Sequence, residues 1–262
     1  MSEVIEQRSE EPADAPTEAN EALLSGPGET DLTVSPRRAV ARARWAEMVF
    51  VIALGLYAVL ATFAHLYAFF EWDMRVNHAI RSINVPGFGP LMVGLSWLGS
   101  GLVPTILVVG CGMALYAARF RLEGILCMIG VTLGAVMNSL MKIAIARPRP
   151  DPSLIDVMRH YDHNSFPSGH VEFFVTFFGF LFFLSYVLLK RSPLRSAALI
   201  VLALLIALIG VSRIYIGAHW PSDTVGAYLS GGVWLMLMIE VYRRLKTHQP
   251  VATRRHGDAP TR

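Results

Sequence analysis

Long apolar runs follow one another from residue 47 to residue 242, and short polar segments separate them. A helix needs about 20 apolar residues to cross the hydrocarbon core of a bilayer. Six runs are long enough, and they cover residues 47–70, part of 88–118, 124–146, 169–189, 196–216 and 223–242. The pattern therefore predicts an all-α, polytopic membrane protein built as a bundle of six transmembrane helices.

The second run is longer than one crossing requires. It begins with PGFGPLMVGLSWLGSG, in which glycine and proline recur. Proline interrupts the hydrogen bonding of a helix, and a run longer than the bilayer core has to tilt or bend. We expect either an interfacial helix or a bend that leads into the second span.

Composition supports a membrane protein. Hydrophobic residues make up 53% of the chain and charged residues 16%, with a mean hydropathy of +0.46. A net charge of +3 could indicate nucleic-acid binding, but the basic residues lie in short clusters between apolar runs,. The lipid bilayer is therefore the expected partner, and no nucleic acid is expected.

The first 36 residues differ from the rest, because they contain nine acidic residues and a single basic one, Arg8. Such a segment buries too little apolar surface to offset the entropy of ordering. It also lacks the basic start and apolar centre of a cleavable signal peptide. We predict a disordered acidic tail at 1–36, a transmembrane domain at 37–246 and a disordered tail at 247–262.

Short loops rich in Lys and Arg stay on the cytoplasmic side of a membrane. Four basic clusters share one face of the six-span arrangement: Arg37, Arg38, Arg42 and Arg44; Arg119 and Arg121; Lys190, Arg191 and Arg195; and Arg243, Arg244 and Lys246. Both termini are then expected in the cytoplasm. The size of the chain and the lack of a sorting signal favour a bacterial inner membrane.

Five basic residues break this rule on the opposite, outer face: Lys142, Arg147, Arg149, Arg159 and Arg213. Arg147 and Arg159 are expected only to extend towards the interface, as basic residues near helix ends commonly do. The other three belong to polar segments that adjoin helix ends: KIAIARPRP (142–150), PSGH (167–170) and SRIYIGAHWPSD (212–223). We expect these segments to share one pocket.

The residue types in that pocket suit a phosphate group. Lys142, Arg149 and Arg213 supply three cations, and an arginine can bind two phosphate oxygens at once. Ser168 and Gly169 lie at a predicted helix start, where free backbone N–H groups and the helix dipole attract anions.

Two histidines and an acid add the chemistry of group transfer. If Pro221 lies in the first turn of the last span, Asp223 is within reach of the His219 ring. A carboxylate that holds one ring nitrogen leaves the other free to attack, so we predict His219 as nucleophile and Asp223 as its partner. His170 can then protonate the departing oxygen as a general acid.

These residues resemble the type 2 phosphatidic acid phosphatase superfamily, which also contains bacterial nonspecific acid phosphatases, glucose-6-phosphatase and vanadium haloperoxidases. Its pattern is Lys-x6-Arg-Pro, Pro-Ser-Gly-His and Ser-Arg-x5-His-x3-Asp. All eleven fixed positions match: Lys142, Arg149 and Pro150; Pro167, Ser168, Gly169 and His170; and Ser212, Arg213, His219 and Asp223. The six-span layout extends the resemblance over residues 45–245.

The resemblance implies a phosphohydrolase that needs no metal or cofactor and works through a phosphohistidine. It places His219, His170 and Asp223 in catalysis, and Lys142, Arg149, Ser168, Gly169 and Arg213 on the phosphate. For membrane-embedded members it implies a lipid phosphate or diphosphate substrate, such as phosphatidic acid, phosphatidylglycerophosphate or undecaprenyl diphosphate, at a site facing away from the cytoplasm.

Alternatives stay open at this point. The same histidine could pass the phosphoryl group to another lipid or sugar, or the chain could be a noncatalytic relative that binds or transports phospholipid. The oligomeric state is open. His160, Asp162 and His163 could suggest a metal site, but they are better interpreted as part of a lid facing the substrate. His65 is expected to face a polar neighbour, and Glu172 has no assigned role.

Overall fold

A computed structural model describes residues 36–158 and 163–247, with side chains from residue 44 onward. The predicted tails therefore lie outside the described residues, apart from the border residues 36 and 247. Arg159, His160 and Asp162 lie outside them as well. The chain divides into two compact units, residues 1–48 and 49–262. The domain limits stay predictions.

The described residues form eight helices and no strand. The helices are α1 (Pro36–Leu66), α2 (Glu71–Arg81), α3 (Phe88–Leu98), α4 (Val103–Ala117), α5 (Arg121–Ile145), α6 (Gly169–Leu188), α7 (Pro193–Tyr215) and α8 (Pro221–Thr247). Proline occupies an early position in α4, α7 and α8, where its missing N–H removes no helical hydrogen bond.

Five of these helices are long and apolar enough to cross a membrane: α1 from Arg44, and α5, α6, α7 and α8. A sixth crossing results if α3 and α4 together form one span. This confirms the predicted all-helical membrane architecture. Much of the apolar surface of these helices is exposed in the isolated chain, as a lipid-facing surface must be,.

The second predicted span is broken. α3 and α4 meet at 63° across residues 99–102, and Gly101 adopts a φ of 59° that suits glycine,. The bend that the sequence offered as one alternative is therefore present. It directs the α3–α4 connection towards the start of α6, where a Cβ on Gly99 would meet the ring of His170.

A helix that the sequence analysis did not predict follows the first span. No run of the sequence predicted an element between residues 70 and 88, but Glu71–Arg81 is helical. Acidic Glu71 and Asp73 lie in its first turn and basic Arg81 in its last, which complements the helix dipole,. Asp73 and Asn77 are buried on one face, and Asp73 anchors α2 through its contacts with Arg147 and Ser222.

α6 is the most buried of the candidate spans. Its phenylalanines pack against one another; the rings of Phe174 and Phe178, for example, are 4.9 Å apart. Residues Phe174–Phe178 form a π-helical turn, which contains one more residue than an α-helical turn,. The apolar core around α6 thus supports the polar segment at its N-terminus, where the PSGH motif lies.

Candidate active site

The three polar segments meet in the second unit, where backbone hydrogen bonds connect them. Ser165 N donates to Arg147 O at 2.8 Å, and Ser168 N donates to Asp223 O at 3.3 Å. Ala146 ends α5 in the left-handed region at φ 53°, so the chain turns immediately before Arg147. The structure therefore brings the end of α5, the start of α6 and the α7–α8 connection into one place.

His219 lies in the connection between α7 and α8 and is 1% exposed. Its Nε2 is 3.2 Å from Nη1 of Arg149. A guanidinium can only donate, so Nε2 is the unprotonated nitrogen and the ring proton belongs to Nδ1. The nitrogen that faces Arg149 is thus the one with a free lone pair.

The other ring nitrogen faces a carboxylate. His219 Nδ1 lies 3.4 Å from Oδ2 of Asp223 and 3.4 Å from Oγ of Ser165. That Asp223 oxygen also accepts from the Ser165 hydroxyl and, at 2.9 Å, from Trp220 N. α8 begins at Pro221, two residues before the predicted run, so the condition set for Pro221 is met and Asp223 lies next to the ring. The carboxylate is held by several donors on the side that faces His219.

Burial lowers the pKa of His219 well below its ordinary value of 6.5. The positive charges of Arg149, Lys142 and Arg213 act in the same direction, because each disfavours a protonated ring,. The imidazole is therefore neutral at neutral pH, which is the state that a nucleophile requires.

His170 lies in the first turn of α6, and its Nε2 is 3.0 Å from Oγ of Ser100. The Ser100 hydroxyl uses its one proton on Ser96 O at 2.8 Å. Nε2 of His170 must then be the donor, so the ring has its proton on that nitrogen. The charges of Arg213 and Arg149 act on His170 as they do on His219, so the two histidines share one electrostatic environment.

Lys142 directs its ammonium group into the loop before α6. Its Nζ lies 3.0 Å from Asn164 O, 3.2 Å from Ser165 O and 2.6 Å from Pro167 O. The three protons of the ammonium group therefore find three carbonyl oxygens. Lys142 orders this loop and also brings a positive charge close to His219.

Ser168 and Gly169 lie at the beginning of α6. The Ser168 hydroxyl is buried and has no hydrogen-bond partner among the described residues. A Cβ on Gly169 would lie 3.2 Å from Oδ1 of Asn138 and 3.9 Å from Cε of Lys142. The absence of a side chain on Gly169 therefore lets Lys142 and Asn138 approach the helix start.

Two further cations border the pocket. Arg149 also donates through Nη1 to Ala218 O at 2.7 Å. Arg213 is 1% exposed and donates to the hydroxyl of Ser96 on α3. Its charge acts on both His170 and His219. All eight residues that the sequence singled out thus border the same polar region, while their roles stay predictions.

The prediction for Arg147 was wrong. It was expected to extend to the membrane interface, but it is 1% exposed. Its guanidinium forms ion pairs with Asp223 at 2.6 Å and with Asp73 at 3.1 Å. A buried arginine between two buried carboxylates is held by charge, and no feature of KIAIARPRP distinguished it from its neighbour Arg149.

Several polar residues of the pocket escaped the sequence analysis. Ser96 and Ser100 come from the α3–α4 bend, and Asp73 comes from the unpredicted helix. Ser165 had a weak signal, since it lies only three residues before the PSGH serine. Each becomes recognisable only once distant helices are packed together.

The structure shows polar contacts for His65 and Glu172. His65 Nδ1 lies 3.0 Å from Ile145 O, so the expected polar neighbour is a helix-terminal carbonyl. Oε2 of Glu172 lies 2.7 Å from Asn138 Nδ2 and 3.0 Å from Ser230 Oγ. Glu172 therefore connects three helices beside Gly169.

Comparisons with known proteins identify a family and relatives of this chain. A family model described as the PAP2 superfamily matches residues 123–246. The chain is 28% identical over 190 residues to phosphatidylglycerophosphatase B of Bacillus subtilis (strain 168), a match that covers 70% of this chain and 89% of that protein. It is 30% identical over 197 residues to a lipid A 1-phosphatase of Rhizobium etli, covering 66% of this chain and 78% of that protein.

A solved structure is similar over most of the chain. It is a crystal structure of a transmembrane PAP2 type phosphatidylglycerolphosphate phosphatase from Bacillus subtilis, with a TM-score of 0.64 and 27% identity. The match covers 76% of this chain and 98% of that chain.

Proposed function

The chain belongs to the PAP2 superfamily, and from this premise we propose that it is a membrane phosphatase that hydrolyses a lipid phosphate or diphosphate. The relatives named above are phosphatases by name, and two of them act on lipids. The resemblance that the motifs suggested is thereby confirmed at the level of the family. The substrate of this chain is part of the proposal.

One observation supports the proposal most strongly, namely the orientation of His219. Its Nε2 faces Arg149 at 3.2 Å, while its Nδ1 faces Asp223 at 3.4 Å. A lone pair directed at a guanidinium is also directed at the place where that guanidinium would hold a phosphate. This tautomer and this position support His219 as the proposed nucleophile.

The proposed reaction has two steps. Nε2 of His219 attacks phosphorus, and the bond between phosphorus and the lipid oxygen breaks while His170, as the imidazolium, gives a proton to that oxygen and becomes neutral. A water molecule then attacks phosphorus, the bond between Nε2 and phosphorus breaks, His170 takes up a proton of that water, and inorganic phosphate leaves. Lys142, Arg149 and Arg213 stabilise the charge on the phosphoryl oxygens, where most catalysis of phosphoryl transfer lies.

The buried hydroxyl of Ser168 supports the position of the phosphate. A buried polar group without a partner is costly, and a phosphate oxygen beside the start of α6 would supply the acceptor. The backbone N–H groups there add donors. No metal takes part in this proposal, since cationic side chains provide the positive charge.

We further propose the membrane orientation that the basic clusters predict. The chain is a multi-pass membrane protein. In the proposed topology both termini are cytoplasmic and the pocket faces the periplasm or the exterior, in a bacterial inner membrane. A lipid phosphate at the outer leaflet could then reach the pocket without crossing the bilayer.

A phosphate-release assay tests the function directly. The purified protein is given phosphatidic acid, phosphatidylglycerophosphate, undecaprenyl diphosphate and a water-soluble phosphoester, with and without excess EDTA. We expect release of inorganic phosphate from at least one lipid, undiminished by EDTA and inhibited by orthovanadate, which resembles the transition state. A strict requirement for a divalent ion would contradict the mechanism.

The His219→Ala variant provides the matched control. It should elute as the wild-type protein does in detergent but release phosphate only at the background rate, because the reaction barrier depends on this ring. Wild-type turnover in this variant would remove the proposed nucleophile. Transfer of the phosphoryl group to an added alcohol in preference to water would favour the phosphotransferase alternative.

A further inference from the structure

Three buried charges form a line behind the proposed nucleophile. Asp73, Arg147 and Asp223 are each at most 1% exposed. Nη1 of Arg147 lies 2.6 Å from Oδ1 of Asp223, and Nη2 lies 3.1 Å from Oδ2 of Asp73. The guanidinium therefore joins a carboxylate on α2 to the carboxylate that faces His219.

Ser222 closes the line into a ring of hydrogen bonds. Nη1 of Arg147 donates to the Ser222 hydroxyl at 2.7 Å. That hydroxyl donates to Oδ2 of Asp73 at 2.7 Å, and Ser222 N donates to Oδ1 of Asp73 at 2.8 Å. Asp73 thus holds both the guanidinium and the first turn of α8, in which Asp223 lies.

The remaining surroundings of Arg147 leave it little freedom. Its Nε donates to Ala68 O at 3.1 Å, and its guanidinium carbon lies 4.9 Å from the centre of the Phe70 ring. Each nitrogen of the guanidinium has a partner, so the side chain has one position.

The two oxygens of Asp223 have separate partners. Oδ1 faces Arg147, while Oδ2 faces His219, the Ser165 hydroxyl and Trp220 N. A rotation of the carboxylate about its bond would break contacts on both sides. Arg147 therefore determines the direction in which Asp223 presents its second oxygen to His219.

The charges of Arg147 and Asp73 also act on Asp223, in addition to their hydrogen bonds. A buried carboxylate is stable in its ionised form only beside a compensating charge, and Arg147 provides that charge at close range. Asp73 shares the same guanidinium and so limits how far Arg147 neutralises Asp223. If Asp223 were protonated or fully neutralised, it would be a weaker acceptor for Nδ1 of His219.

We propose that Arg147 and Asp73 are positioning residues for phosphoryl transfer. Both hold Asp223 in the direction of His219, and Arg147 supplies the positive charge beside the Asp223 carboxylate, which the charge of Asp73 partly offsets. This inference rests on the proposed function. It makes α2, which lies outside the candidate spans, a part of the catalytic support, because Asp73 acts on Asp223 and His219 through Arg147 and Ser222.

Other charged groups also act on the same pair. Those around His219 and Asp223 are Lys142, Arg149, Arg213 and His170, in addition to Asp73 and Arg147. The variants below leave the first four unchanged, so a change in pH dependence comes from the Arg147 and Asp73 charges.

The test compares Arg147→Met, Arg147→Lys and Asp73→Asn with the wild-type protein, using a lipid phosphate that the wild type hydrolyses in detergent. kcat, KM and the pH dependence of kcat are measured for each, together with the midpoint of thermal unfolding. Glu123→Gln is the matched control. It removes a buried carboxylate that contacts Lys246 at 2.9 Å and Tyr242 at 3.1 Å, roughly 30 Å along α5 from Lys142.

We expect kcat to fall roughly 100-fold in Arg147→Met, a typical effect of misplaced catalytic groups, with little change in KM. Loss of this positive charge makes a proton on the nearby His219 ring more favourable, so the acidic limb of the kcat profile moves to higher pH. Asp73→Asn removes a negative charge, so it should lower kcat and move the acidic limb to lower pH. Arg147→Lys should recover part of kcat, because an ammonium keeps the charge but not the fork.

Opposite shifts of the acidic limb in Arg147→Met and Asp73→Asn support a positioning role. A purely structural role would lower the midpoint of thermal unfolding without moving the pH profile of kcat. Glu123→Gln should lower the unfolding midpoint and leave the profile unchanged. Wild-type kcat and pH dependence in Arg147→Met and Asp73→Asn would overturn the inference. If Arg147→Met does not fold, Asp73→Asn and Arg147→Lys decide in the same way. A wild-type protein that releases no phosphate would instead contradict the proposed function.

Discussion

Individual side chains in this pocket show two kinds of surroundings. Arg147 and Asp223 are already satisfied by protein groups, with several short contacts each. The Ser168 hydroxyl is buried and lacks a partner among the described residues. The first kind supports the geometry of the pocket, and the second is the kind expected of a group that binds a ligand.

Ser168→Ala separates these two kinds experimentally. The hydroxyl makes no contact that the described chain would lose, so the midpoint of thermal unfolding should stay within error of wild type. A hydrogen bond to a charged phosphoryl group is worth about 1.5–3 kcal/mol, so kcat/KM should fall roughly 10- to 100-fold. Phosphate-release kinetics and thermal unfolding in detergent measure the two quantities. Unchanged kcat/KM would exclude this hydroxyl from phosphate binding.

The pH dependence of kcat/KM reports the surroundings of His219. A protonated Nε2 cannot attack, so activity is lost as pH falls through the pKa of this ring. Burial and nearby cations lower that pKa below 6.5, which places the acidic limb at lower pH than an exposed histidine would. Arg149→Met removes one cation, so the pKa should rise and the limb should move to higher pH.

Arg149→Lys provides the control for that shift, because it retains the positive charge. Both variants should lose activity if Arg149 binds phosphate, but only the methionine variant should shift the acidic limb. Equal profiles in wild type and Arg149→Met would show that Arg149 has no electrostatic influence on the nucleophile.

Sequence reasoning identified residues of the pocket where residue type and spacing are both distinctive. His219 and Asp223 are four positions apart beside a proline, and this predicts their proximity. Arg147 was misjudged because its environment depends on Asp73, which lies 74 residues away on a helix without a recognised pattern. Local sequence contains no information about such a partner.

Among the helices, the apolar spans were predictable from length and hydropathy, since a bilayer requires both. The break between α3 and α4 was anticipated only as one of two alternatives. The contact of this break with the pocket was not anticipated, because Ser100 reaches His170 through the packing of α3 and α4 against other helices. α2 escaped prediction since its mixed polar sequence resembles a loop.

Gly99→Ala tests the contact between this bend and α6. A Cβ at Gly99 would lie 2.5 Å from Cδ2 of His170, so the ring must move. Gly99 has a φ of −100°, which alanine tolerates, so the effect should come from the clash. We expect kcat to fall roughly 100-fold in a protein that still folds in detergent.

Gly94→Ala on α3 is the corresponding control, since a Cβ there meets no atom within 4 Å. It should retain wild-type kcat when it is prepared under identical conditions. Wild-type kcat in Gly99→Ala would show that activity does not depend on the position of the His170 ring against Gly99.

For the whole molecule, orientation in the membrane is the property that links the pocket to its substrate pool. Charge bias between successive loops is the sequence signal for it. The order of the spans along the chain was predictable from their length and hydropathy. The tails were predicted from composition alone and lie outside the described residues.

Labelling with a membrane-impermeant maleimide tests the proposed orientation. In a background where Cys111 and Cys127 are replaced by alanine, Ser153→Cys places a thiol in the exposed segment after α5, and Arg191→Cys places one between α6 and α7. Intact bacterial cells that express the protein should label residue 153 but not residue 191. Permeabilised cells should label both. The reverse pattern in intact cells would invert the topology.

The π-helical turn at Phe174–Phe178 affects the direction in which side chains at the N-terminal end of α6 point around the helix axis. Each residue of a helix advances about 100° around its axis. One extra residue in this turn therefore rotates everything on its N-terminal side, including His170 and Glu172, relative to the membrane-embedded part of the helix. The direction in which His170 points depends on the number of residues in this turn. Deletion of one of them would therefore turn the His170 ring away from the pocket while the PSGH motif stays unchanged.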